Sequence, residues 1–98
     1  FDVYKNENEL TNQKVPYLLD IQSDILDSIN TRVVIPLVKD KNDFKGLTKE
    51  LVIKNQKVYL TTSQMGAVHK NELKTKITTL INQKEEIKNS IDFLIYGF

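Results

Sequence analysis

Ninety-eight residues and 11.4 kDa supply one small domain with a single core, so residues 1–98 are read as one unit. Hydrophobic residues at 40% against charged residues at 28% exclude a disordered chain, and 14 basic against 13 acidic side chains exclude a strong overall pull on nucleic acid. The absence of cysteine removes disulfide scaffolds, thiol catalysis and Cys-based zinc sites. No apolar run approaches the roughly 18 residues needed to span a bilayer, and no signal-peptide pattern opens the chain, so a cytoplasmic protein with no membrane partner is expected.

The elements follow in chain order. Asp2 to Lys5 alternates as a short strand, and the polar stretch from Asn6 to Lys14 reads as a solvated loop. Val15 to Ile21 alternates again, with Tyr17, Leu19 and Ile21 on one face. Asp27-Ser28-Ile29-Asn30 carries turn chemistry. Arg32 to Val38 is rich in β-branched residues and suits a strand covered on both faces, with Pro36 predicting an edge or a bulge near its end. Lys39 to Lys49 reads as a second surface loop. Leu51 to Ile53 and Val58 to Thr62 flank Asn55-Gln56, which predicts a hairpin, and Met65 to Val68 reads as a further short strand. Then the period changes: Ile77, Leu80, Ile81, Ile87, Ile91, Leu94 and Ile95 recur at helical spacing, and Asn82 with Glu85 matches a capping box. The spacing predicts a helix over 82–95 stopped by Gly97. Short strands followed by one helix give a mostly β (α+β) class: a small antiparallel barrel or curled sheet with a C-terminal α-helix packed on it.

Few residues argue for catalysis or for a metal. Asp20, Asp24 and Asp27 lie close together, yet they lack the fixed alternation, central Gly and closing Glu of a calcium loop; they read as carboxylates at a strand end and turn. His69 has no second His and no Cys to complete a metal site, and reads as a surface residue at a strand end. Thirteen of the fourteen basic residues are lysine, and Arg32 is the single fork suited to phosphate or carboxylate. The six lysines between Lys39 and Lys57 read as solvated surface or as a docking face for an acidic partner. The final residues hold more information. With Ile87, Ile91 and Leu94 turned inward, Asp92 and Tyr96 project on another side, and Ile95, Tyr96 and Phe98 follow or flank them. Taken alone, these residues leave two readings open: an end packed into the core, or a compact, partly exposed anchor.

Three segments carry a resemblance. Leu19-Asp20-Ile21-Gln22-Ser23-Asp24-Ile25-Leu26-Asp27 with Thr31-Arg32-Val33-Val34-Ile35-Pro36-Leu37, then Gln64-Met65-Gly66-Ala67-Val68, then Ile87 through Phe98, resemble the CcdB toxins in order and spacing. The resemblance runs nearly end to end and is weakest from Lys39 to Gln56 and from His69 to Thr79. It implies an SH3-like small antiparallel β-barrel of CcdB/MazF type, a homodimer without cofactor or catalytic residues. It implies the toxin of a toxin–antitoxin pair that binds the A subunit of DNA gyrase and traps the enzyme on cleaved DNA. A CcdA-like antitoxin would neutralise it, and operator DNA would be met only through that complex. By position, the gyrase-contact residues implied are Ile25, Leu26, Asp92, Ile95, Tyr96, Gly97 and Phe98. Tyr96 stands where the family usually has Trp, whose ring stacks on a gyrase arginine; Asp92 stands for Asn, and His69 for a proline. Two alternatives remain: a MazF/Kid-like ribonuclease drawing on Arg32, His69 and the Asp20–Asp27 acids, or a degraded toxin that keeps only antitoxin binding.

Overall fold

A computed structural model describes residues 1–22, 28–41 and 48–97, with Thr48 described by its backbone alone. Its elements are β1 (Asp2–Lys5), β2 (Tyr17–Asp20), β3 (Thr31–Val38), β4 (Thr48–Ile53), β5 (Gln56–Thr61), β6 (Gly66–His69), β7 (Lys76–Thr79) and α1 (Lys84–Tyr96). All strand pairs are antiparallel, in the order β4-β5-β3-β2-β1-β7, with β6 also on β3. The result is a curled antiparallel half-barrel with one helix laid on it.

The curl originates in β3. On one side β3 pairs with β2 from Val34 to Leu37; on the other it pairs first with β6, from Thr31 to Val34, and then with β5, from Leu37 to Val38. Ile35 and Pro36 fall between those two partners. Pro36 therefore lies at a partner switch of a central strand, and neither at an edge nor at a bulge, because a residue without an N–H is tolerated where that side of the ladder is interrupted. The Pro36 carbonyl is still satisfied, accepting from the Thr61 hydroxyl at 2.8 Å.

Register puts one face of the sheet inside. Val3 opposes Leu19, Leu19 opposes Ile35, and Leu37 opposes Leu60, so a single row of apolar side chains crosses four strands. These residues join Leu51, Ile53, Val58, Leu80 and Ile87 in the core, with Tyr17, Ile21 and Ile91 packed against it. A slip of one residue would turn this row to the other face, so burial itself specifies the register.

Several sequence expectations shift. The hairpin turn sits at Lys54-Asn55, one residue earlier than predicted, and both have positive φ (50° and 65°), the signature of a type I′ turn. The loop after β1 is ordered by a buried amide: Asn6 Nδ2 donates to the Val15 carbonyl at 2.8 Å and to Thr11 Oγ1 at 3.0 Å, while its Oδ1 accepts from the Asn8 N–H. Ile77 belongs to β7, paired to β1, and not to the helical repeat; a strand next to a turn can mimic i, i+3, i+4 spacing. The predicted capping box at Asn82 and Glu85 does not form, because Asn82 lies inside a 3-10 turn over Ile81–Gln83 and the cap falls on Gln83, whose side chain makes no capping bond. A capping box does form elsewhere: His69 Nδ1 accepts from the Asn71 N–H at 3.2 Å, and Glu72 Oε2 accepts from the His69 N–H at 3.0 Å.

Candidate functional site

The helix is built to hold one side and show the other. Glu85 and Glu86 occupy its first turn, where acids suit the helix dipole, and Lys49 on β4 pairs with Glu86 at 3.2 Å. Ile87 is fully buried in the core. One turn on, the Ser90 hydroxyl meets that of Thr62 at 2.7 Å, both buried, which ties the helix to the 3-10 turn after β5. Ile91 is the last residue on the helix to pack against the core.

Beyond Ile91 no described side chain of the helix joins the core. Phe93, Leu94, Ile95 and Tyr96 are all exposed, Tyr96 most of all at 64%. Leu94 continues the core stripe but is 36% exposed, so its predicted inward position is a correction: the barrel ends before the stripe does. Asp92 is exposed beside these apolar residues. Gly97 closes the helix in the left-handed conformation (φ 78°), its N–H donating to the Phe93 carbonyl at 3.0 Å. Any other residue there would be strained, so glycine fixes where the chain turns off the helix.

Of the residues singled out from the sequence, Asp92, Ile95, Tyr96 and Gly97 are brought together on this last turn. Ile25, Leu26 and Phe98 lie outside the described residues. Phe93 belongs to the same exposed patch and escaped the sequence reading; its place one position after Asp92, off the Ile87–Ile91 stripe, was the signal that pointed to it.

The polar residues considered for catalysis take structural posts. Arg32 is buried, and its guanidinium holds Asp20 through Nε at 3.0 Å and Nη2 at 2.8 Å, with Nη2 also donating to the Gln22 carbonyl at 3.2 Å. Asp20 Oδ1 accepts the Gln22 N–H, closing a small network at the strand end. Asp24 and Asp27 lie outside the described residues. A cleft of about 520 Å³ opens above the pair, lined also by Asp2, Tyr4, Lys70 and Leu73. Burial pushes the Tyr4 phenol above its ordinary pKa, and the charges of Asp2 and Asp20 push the same way. His69 is exposed and serves as the cap described above. Among the described residues no cluster of His, Asp and Glu is arranged to hold a metal ion, and no helix is long and apolar enough to cross a membrane.

The family model described as CcdB protein matches residues 1–97. The chain belongs to the CcdB family. Among solved structures, one titled Mycobacterium tuberculosis toxin MazF-mt6 superposes with a TM-score of 0.75 at 11% identity, covering 94% of this chain and 93% of that one. Another, titled Crystal structure of Mtb toxin, gives 0.71 at 12% identity over 91% and 94% of the two chains. At such identities the likeness is one of fold: this CcdB-family chain is built on the CcdB/MazF-type α+β barrel. Membership of that family makes it a toxin of the toxin–antitoxin kind.

Proposed function

We propose that this CcdB-family toxin is a non-enzymatic gyrase poison that presents the end of α1 to the A subunit of DNA gyrase and stabilises the gyrase–cleaved DNA complex. The observation that carries the reading is the run of four exposed apolar side chains, Phe93 to Tyr96, on a helix whose other side is fixed by Ile87 and the Ser90–Thr62 hydroxyl pair. A rigid helix end spends little conformational entropy on binding, and an aromatic set among aliphatic neighbours is the composition of an interface hot spot. Tyr96 supplies the ring for stacking on an arginine, with Ile95 and Phe93 excluding water around it, and Ile25, Leu26 and Phe98 are proposed to extend the same surface. Asp92 adds a carboxylate at its border that favours a basic gyrase residue opposite. A CcdA-like antitoxin, contact with operator DNA only through that antitoxin, and a homodimer complete the proposal.

The test is a cleavage assay with purified gyrase A and B subunits, ATP and plasmid. The intact protein should accumulate linear DNA after denaturation, and Tyr96→Ala should reduce that accumulation at least tenfold while leaving thermal stability within about 0.5 kcal/mol, as befits an exposed position. Poisoning by Tyr96→Ala at undiminished potency would remove the helix end from the site.

A ribonuclease reading takes its support from the shared MazF-type fold and from the cleft over Arg32. Against it, the Arg32 guanidinium is engaged by Asp20 and the Gln22 carbonyl, and His69 Nδ1 is engaged by the Asn71 N–H. Incubation of the protein with RNA separates the two: sequence-specific cleavage would favour the enzyme.

A further inference from the structure

We propose a second binding site, unconnected with the helix end: the cavity between the β1–β2 loop and the 71–74 segment binds a small organic cation, an alkylammonium or alkylguanidinium group on an apolar chain. The cavity measures about 670 Å³, within the range of small-molecule sites. It lies on the face of the sheet opposite the core. Leu18 and Pro36, directly paired across β2 and β3, form an apolar floor with Val15 and Val68, and polar side chains rise around it.

Glu7 decides the chemistry of the ligand. It lines this cavity, and its Oε2 is withdrawn from solvent with no hydrogen-bond partner among the described residues. A carboxylate oxygen taken out of water without a donor is costly, and an N–H-bearing cation restores what is missing. The Asn6 network orders the loop from which Glu7 projects, so the backbone that carries this carboxylate is fixed. Of the other charged residues on the lining, Glu72 already accepts the His69 N–H, and Lys74 is the single base against two acids. The balance disfavours an anion. The apolar floor disfavours a hard metal ion, which needs six or more oxygen ligands. What fits is a monocation with a short hydrocarbon body.

The test is chemical-shift mapping on the ¹⁵N-labelled full chain, titrated separately with n-butylammonium, n-butylguanidinium and, as the uncharged isostere, n-butanol. The cations should move the amides of Glu7, Asn8, Val68 and Asn71 to saturation in the millimolar range, with n-butanol at least tenfold weaker. Glu7→Gln, which keeps the shape and removes the charge, should weaken cation binding at least tenfold. A second variant, Val68→Lys, places a tethered ammonium in the cavity and should abolish binding of the free cations, so the question stays decidable if Glu7→Gln fails to fold. Equal shifts with n-butanol, unchanged affinity in either variant, or no saturable shifts at these amides would overturn the proposal.

Discussion

Arg32 is the chain's one arginine, and the fold places it inside, with side-chain exposures of 8% for Arg32 and 9% for Asp20. A buried ion pair is weak evidence of net stability, because desolvating both charges offsets much of their attraction. Breaking it from one side is another matter. Asp20→Ala should cost about 3–5 kcal/mol, because the guanidinium would stay buried with the carboxylate that meets its Nε and Nη2 removed. Denaturant unfolding reads this directly, and a double replacement of Asp20 and Arg32 by apolar residues of similar volume should recover most of the loss. A cost below about 1 kcal/mol for Asp20→Ala would mean that the pair is solvated and that its network is not part of the interior. Asp20, the described member of that acidic cluster, is already neutralised by a fixed base.

At the scale of elements, the β4–β5 hairpin carries a removable strain. Lys54 and Asn55 both adopt left-handed φ; asparagine tolerates this, whereas lysine has no side-chain compensation. Replacing Lys54-Asn55 by Asn-Gly, the preferred type I′ pair, should raise stability by about 0.5–1 kcal/mol with an unchanged denaturant slope, and a loss of stability would place the turn in another conformation. How far the elements could be read in advance follows from where their information sits. β1 and β2 announced themselves by alternation and the hairpin strands by the turn residues between them, because each strand has a face on the core and the turn needs left-handed backbone. β7 was hidden because Ile77, Leu80 and Ile81 happen to keep a helical spacing across a strand and a turn, and only pairing with β1 reveals them. The exposed Tyr96 was legible as a residue off the inner stripe, whereas Ile95 reads with the apolar helical repeat. Leu94 was not, since the sequence carries no mark of where the barrel surface ends beneath the helix. The cavity beside Glu7 was illegible for a deeper reason: its walls come from β2, β3, β6 and three connecting segments, and no local pattern encodes that meeting.

The whole molecule has an ordinary size and an excess of surface. Its radius of gyration, 12.7 Å, matches the roughly 12.6 Å of a compact chain of this length. Its accessible area of 6467 Å² exceeds the roughly 5,800 Å² typical of a folded monomer of this mass by about 700 Å². Elongation does not supply that excess; projecting apolar side chains contribute to it, among them Leu10 on its ordered loop, Val52 on β4 and the helix end at Ile95 and Tyr96. The proposed homodimer would cover part of that exposed apolar surface. A domain of this length also gains from covering such surface, because its own core buries a limited share of the unfolded chain. If the folded state is a dimer, mass action ties its stability to concentration: each tenfold dilution should remove about 1.4 kcal/mol per mole of dimer and lower Tm by a few degrees. Calorimetry across a hundredfold range, with sedimentation equilibrium on the same samples, measures both quantities. A Tm independent of concentration at a monomer mass would assign the exposed apolar surface entirely to hetero-partners, leaving the helix end as an interface that each chain presents alone.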